Sequence, residues 1–121
     1  MEKAALTQQI IGRCFAVHRE LGPGFPERIY HTALQLALKT SGIRYESKKR
    51  FRVSFQGTRV GDCEVDLVVE DDVIVEVKAV LGVMPKVFEA QLISYLRATG
   101  IPVGLLVNFG NASCRVKRLV V

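Results

Sequence analysis

The sequence predicts an α/β sandwich on a mixed sheet, with elements in the order ααβββαββ. Three observations carry this. Two early stretches repeat apolar residues at helical spacing. A pair of valine-rich runs flanks an acidic turn in "EVDLVVEDDVIVEVK". A further helical stretch separates those runs from "VGLLVNF", a continuously apolar strand of the kind found in the middle of a sheet.

The first helix is expected over residues 5–21, where Leu6, Ile10, Ile11, Cys14, Phe15, Val17 and Leu21 form a stripe with His18 at its edge. "GPG", Gly22 to Gly24, stops it. The second helix is expected over 26–40. Pro26 suits its first turn, Glu27 complements the positive end of the helix dipole, and Gly42 ends it. Its apolar face is Ile29, Tyr30, Ala33, Leu34, Ala37 and Leu38. "FRVSF", Phe51 to Phe55, alternates as a strand before a turn at Gln56–Gly57. Strands follow over 58–70 and 73–79, then the loop "LGVMP". A helix runs from Lys86 to Thr99 and is closed by Gly100 and Pro102. "GNAS" turns the apolar strand into the last one, "CRVKRLVV".

Nothing in this order divides the chain, so all 121 residues read as a single domain. Apolar residues make up 49% and charged residues 24%, a globular balance that excludes a disordered chain. No apolar run is long enough to span a bilayer and no signal-peptide pattern precedes the first helix, so a cytoplasmic location without membrane contact is expected. Cys14, Cys63 and Cys114 form no C-x-x-C pair and read as reduced thiols rather than a disulfide framework or zinc ribbon. The net charge is +5, with basic residues gathered in "RYESKKRFR" and near the end of the chain. Such a balance suits a polyanionic partner, and equally suits strand edges that block edge-to-edge pairing.

The valine-rich hairpin permits a geometric expectation. Residues directly opposite in an antiparallel pair point to one face. If Val65, Leu67 and Val69 face the core together with Val73, Val75 and Val77, the paired residue numbers must sum to an even value, and a turn centred on Asp71 meets this. Asp66 then lies opposite Glu76, and Glu64 opposite Lys78. Val68 and Ile74 share the face of Asp66, Glu76 and Lys78, so that face is not plainly wet. Two carboxylates held together among apolar neighbours repel and lose hydration. A hard divalent cation, Mg²⁺ or Mn²⁺, relieves that conflict, and the Val77 carbonyl is a natural extra ligand. Lys78 beside such a cation can contact a phosphate oxygen or orient an attacking water. Taken alone, an acidic hairpin with E-V-K is also common as the wet side of a half-buried sheet.

Two helical features add to the hairpin. "EAQLISYL" sets Gln91 and Tyr95 four apart on one helix face. With the Glu-x-Lys strand before it, the arrangement resembles the PD-(D/E)XK nuclease superfamily, especially its RecB-like branch. The blocks "HRELGPGFPERIYHTALQLAL", "EVDLVVEDDVIVEVKAV", "EAQLISYLRATG" and "GLLVNFG", in this order, look like the GxxExxxR family grouped with those nucleases. The resemblance covers nearly the whole chain. It departs from the pattern in two places: His31 stands at the arginine position, and Val65 stands where a proline usually precedes the aspartate.

The resemblance implies a restriction-endonuclease-like core and a Mg²⁺- or Mn²⁺-dependent nuclease acting on nucleic acid, DNA first. By this likeness Asp66 and Glu76 bind the metal with Val77, and Lys78 positions or activates water. Glu27 holds a second metal or its water, and Gln91 and Tyr95 orient Lys78 or touch the nucleic-acid backbone. Lys48, Lys49, Arg50, Arg52 and His31 are the expected phosphate contacts. A minimal core of this size also suits a homodimer. The competing expectation is a catalytically inactive module on the same fold, binding nucleic acid or a protein.

Overall fold

The computed structural model describes residues 3–121. Helices α1 (Ala4–Leu21) and α2 (Glu27–Thr40) come first. Strands β1 (Tyr45–Phe55), β2 (Thr58–Val69) and β3 (Val73–Lys78) follow, then α3 (Val87–Thr99), β4 (Val103–Asn108) and β5 (Arg115–Val120). The expected order ααβββαββ is the observed one. The five strands form one mixed sheet in chain order, with β3 and β4 parallel and the other neighbours antiparallel.

Each face of the sheet buries its own apolar cluster. Ile10, Cys14 and Val17 of α1 and Tyr30, Leu34 and Leu38 of α2 pack on Leu67, Val75, Val77, Leu105 and Val107. On the other face, Leu92 and Leu96 of α3 pack on Val65, Val68, Ile74 and Leu106. The strands β3 and β4 are therefore covered on both sides, which is why their sequences read as unbroken apolar runs. At Gly104 a side-chain carbon would meet Leu92 at 2.9 Å, so α3 lies close against β4.

Several boundaries differ from the sequence reading. Strand β1 begins at Tyr45, six residues before the expected start at Phe51. The charged run "ESKKR" has weak β propensity, and it becomes strand through its pairing with β2. Pro26 caps α2 from outside the helix, at φ −60° and ψ 152°. The β2–β3 turn is centred on Asp71 as expected, with Val69 opposite Val73. Glu70 and Asp71 take positive φ of 53° and 59°, and Arg44 contacts both carboxylates. The cysteines are free thiols, and burial pushes the Cys114 thiol up to about 11.

Candidate active site

The β2–β3 ladder covers only Leu67–Val75, Val68–Ile74 and Val69–Val73. Glu64 does not reach Lys78 as expected; it pairs instead with Arg50 on β1, while Lys78 pairs with Asn108 on β4. Beyond Leu67 the two strands exchange side-chain hydrogen bonds in place of backbone ones. The Asp66 N–H donates to Glu76 Oε2 at 2.8 Å, and the Val77 N–H donates to Asp66 Oδ2 at 2.8 Å. Each carboxylate thus fills the backbone donor that the broken ladder leaves on the facing strand. The same step of the register brings Asp66 and Glu76 together.

A second irregularity sits across from this gap. Ser47 pairs with Leu67 and Lys49 with Val65, leaving Lys48 opposite Asp66 in a left-handed conformation, φ 53°. Residues two apart in a regular strand share a face. Here Leu67 and Val69 join the α1–α2 cluster, whereas Val65 joins the α3 cluster. The expected common face for Val65, Leu67 and Val69 is therefore corrected: the strand pair changes face at Lys48 and Asp66.

Two helices complete the surroundings. From α2, the buried His31 ring holds the Asp66 backbone. Its Nε2 lies 3.0 Å from the Asp66 carbonyl, and Gln35 Nε2 lies 3.2 Å from its Nδ1. An amide NH₂ only donates, so Nδ1 accepts and Nε2 carries the proton given to Asp66. His31 is 8% exposed, and both ring nitrogens are occupied. The expected phosphate contact is revised accordingly, because the ring is turned inward to the main chain.

From α3, Phe88 lies under the Lys78 ammonium, 4.3 Å from Nζ to the ring centroid. Tyr95 packs one face of α3 against the same region, and burial, then Glu76, pushes its phenol up. Gln91 is half-buried one turn earlier and makes no side-chain hydrogen bond among the described residues.

The electrostatics bind these groups into one cluster. Glu76 is 4% exposed, and burial followed by repulsion from Asp66 raises its carboxyl to about 7. Partial burial also raises Glu27, with Asp66 adding to the rise and Lys78 and His31 opposing it. Glu27 thus shares the field of the hairpin acids from the first residue of α2. Among the described residues, no three His, Cys, Asp or Glu side chains form a group that can hold a metal ion. The fit to a cation therefore rests on two carboxylates and a carbonyl. A strand residue directs its N–H and C=O to the same side, so the Val77 carbonyl faces the gap with its N–H. Such an all-oxygen donor set suits a hard ion that keeps several waters.

The four expected lysine and arginine contacts lie on β1. Lys49 reaches Glu46 at 3.2 Å and Arg50 reaches Glu64 at 3.8 Å. Lys48 and Arg52 are exposed and make no salt bridge among the described residues.

The sequence reading missed a clamp on the segment after Lys78. Asn108, 2% exposed, accepts from the Val80 N–H and donates to the Val80 carbonyl, both at 2.9 Å. Asn111 does the same for Gly82, at 2.7 and 2.9 Å. A side-chain carbon at Gly110 would lie 2.4 Å from the Val80 carbonyl oxygen, so only glycine fits there. The available signal was a single asparagine ending the apolar run "VGLLVN". Phe88 could likewise have been found one turn before Leu92 in the helix stripe.

A cavity of about 720 Å³ lies between Met84, Glu89 and Lys117 and includes none of the clustered acids. A smaller cleft of about 370 Å³ lies between Phe25 and Leu81. The acids sit at the strand gap, outside the larger cavity.

An acid pair at the point where two strands part, followed by a lysine on the inner strand, is the core arrangement of one large nuclease class. The sequence matches the PD-(D/E)XK nuclease superfamily over residues 4–119, and the chain belongs to that superfamily. A solved structure described as the crystal structure of SSO0001 shares the fold, with a TM-score of 0.61 at 17% identity. The likeness covers 98% of this chain and 58% of that one, so this chain spans little more than half of that relative. No curated protein matches. Among the described residues no helix is long and apolar enough to cross a membrane.

Proposed function

We propose that the chain is a Mg²⁺- or Mn²⁺-dependent nuclease that hydrolyses phosphodiester bonds, with DNA as the first substrate to test. The two hydrogen bonds across the strand gap, from the Asp66 N–H to the Glu76 carboxylate and from the Val77 N–H to the Asp66 carboxylate, carry this reading. They fix two carboxylates side by side without using all their oxygens. Asp66, Glu76 and the Val77 carbonyl would hold the cation. When bound, it supplies Lewis acidity toward phosphoryl oxygens and acidifies water.

The remaining roles belong to the chain itself. Lys78, steadied over Phe88, presents its ammonium to a phosphate oxygen or to the attacking water. Glu27 stands at the edge of the group and accepts a hydrogen bond from water there. Tyr95 and Gln91 border the site on α3. Lys48 and Arg52, both exposed, offer charge to phosphates, with Lys49 and Arg50 as secondary contacts. His31 acts through Asp66 and not on the substrate.

The test is DNA cleavage with Mg²⁺ or Mn²⁺. Asp66→Ala should reduce the rate by about 10³-fold or more, the equivalent of several kcal/mol of lost charge stabilisation. Lys78→Ala should reduce it comparably. Cleavage at the wild-type rate by both variants would end this reading. Calorimetry gives a second readout. Absence of Mg²⁺ and Mn²⁺ heat together with salt-sensitive DNA binding would point to the inactive module.

A further inference from the structure

We propose that the cavity between α3 and the β4–β5 pair is a subsite for one nucleotide of the bound strand. Its ring lies on the apolar interior around Leu106, and its phosphate meets Arg115. The inference rests on the nuclease reading and deepens it, because it gives the strand a second anchor beside the acid–lysine group.

The cavity and the acid–lysine group are two parts of one sheet face, matched row by row. In the register, Glu76 lies beside Leu106, and Leu106 beside Lys117. One step further, Lys78 lies beside Asn108, and Asn108 beside Arg115. Residues level with each other on neighbouring strands point to the same face. That face is the α3 side: Leu106 packs with Leu92, the Lys78 ammonium rests on Phe88, and Lys117 reaches Glu89 at 2.9 Å. The β3 members of the two rows belong to the candidate site. The β4 and β5 members, Leu106, Asn108, Arg115 and Lys117, all line the cavity. At a strand spacing of about 4.8 Å, the backbones of Lys78 and Arg115 stand about 10 Å apart. A nucleic-acid strand rises about 3.4 Å per nucleotide, so a few nucleotides span that distance.

The lining selects the occupant by its chemistry. Leu106, Met84 and Val83 supply an apolar interior, and the charged groups are two cations and one acid. A surface ion pair alone signals little, but Lys117 here neutralises Glu89, the one group that would repel an anion. Arg115 is exposed and makes no salt bridge among the described residues. Its guanidinium matches the geometry of a phosphate better than a point charge does. An apolar interior with an open guanidinium fits an anion that carries a flat ring. At about 720 Å³ the cavity is in the size range of small-molecule sites. Its wall is fixed before any ligand arrives, because Asn108 clamps Val80 and Asn111 clamps Gly82. The clamp that cleavage leaves without a task thus builds the subsite. Both amides are used up in doing so, so the ring is held by its faces and all bases should bind alike.

Titration of the metal-free protein with thymidine 5′-monophosphate, followed by the backbone amide NMR signals, tests this. Shifts should gather at Gly82, Met84, Ser113 and Arg115, and a short oligothymidylate should add shifts at Val77 and Lys78. Thymidine and inorganic phosphate each lack half of the contact and should bind at least about 10-fold more weakly. Arg115 is exposed, so Arg115→Ala should fold normally; it should weaken nucleotide binding by about 3- to 10-fold. Arg115→Lys should restore part of that loss. Glu89→Gln frees Lys117 and should tighten binding by about 2- to 5-fold. Inorganic phosphate or octyl phosphate binding as tightly as the nucleotide, an absence of shifts at the cavity, or unchanged affinity in Arg115→Ala would overturn the proposal. The outcomes separate from those of the nuclease reading. Nucleotide binding without any cleavage by wild type removes the nuclease and keeps the subsite, whereas cleavage without the shifts removes the subsite alone.

Discussion

The two halves of the β2–β3 pair meet the same physical demand in different ways. From Leu67 to Val69 the backbones pair directly, and the side chains on both faces are buried and apolar. From Asp66 toward Glu64 the strands separate, and carboxylates take over the donors that the ladder no longer uses. The first half is stable because it is dry and satisfied. The second is satisfied only by keeping charge where hydration is poor. The cost appears on Glu76, whose carboxyl is raised to about 7 by burial and by Asp66. A site that gathers like charge is thus held in shape by the rigid half beside it.

This contrast can be broken from either end. The largest change in stability is expected in the dry half. Leu67→Ala removes a fully buried side chain from the α1–α2 cluster and should cost about 2–5 kcal/mol in urea unfolding. Any cleavage per folded molecule should fall far less than in Asp66→Ala.

In the charged half, the effect depends on pH. The folded carboxyl of Glu76 binds its proton more tightly than the unfolded one. The associated stability is present below the ordinary carboxylate range and is lost as pH rises through about 7. Metal-free wild type should lose as much as about 3 kcal/mol over that window. Glu76→Gln should flatten the profile, and a wild-type profile already flat from pH 4.5 to 7.5 would contradict the assignment.

A smaller loss is expected where the two halves join. His31→Ala leaves the Asp66 carbonyl without its ring donor and should cost about 1–3 kcal/mol, measured by thermal unfolding. His31→Asn, which keeps a donor on a shorter arm, should recover only part of it. The smallest effect belongs to the kink. Lys48 holds a left-handed conformation that glycine adopts without penalty, so Lys48→Gly should stabilise the fold by up to about 1 kcal/mol. The same change removes an exposed cation, so it should also weaken the salt dependence of nucleic-acid binding by about one unit of slope.

Much of the fold was legible because its signals are local. The α1 and α2 stripes, "GPG", and the apolar run of β4 each report the environment of their own residues. The first six residues of β1 were not legible, since charged residues become strand there only by pairing with β2. The hairpin register was legible in its inner half, where Leu67 and Val69 match Val73 and Val75 on one face across a turn at Asp71. It misplaced Glu64 and Val65, because the pleat was assumed to continue through Asp66.

The sequence by itself indicated the class of the core, and a turn at Asp71 with Asp66 opposite Glu76, because matching Leu67 and Val69 with Val73 and Val75 on one face fixes the parity of the pairing. Only the tertiary structure decided that the ladder ends at that step and that Lys48 turns the strand pair to its other face. It also decided that His31 looks inward to the Asp66 carbonyl and that Asn108 and Asn111 clamp the segment after Lys78. These features depend on contacts between residues far apart in the chain, such as His31 with Asp66 and Asn108 with Val80. A periodicity read along one segment carries no information about the segment that will pack against it.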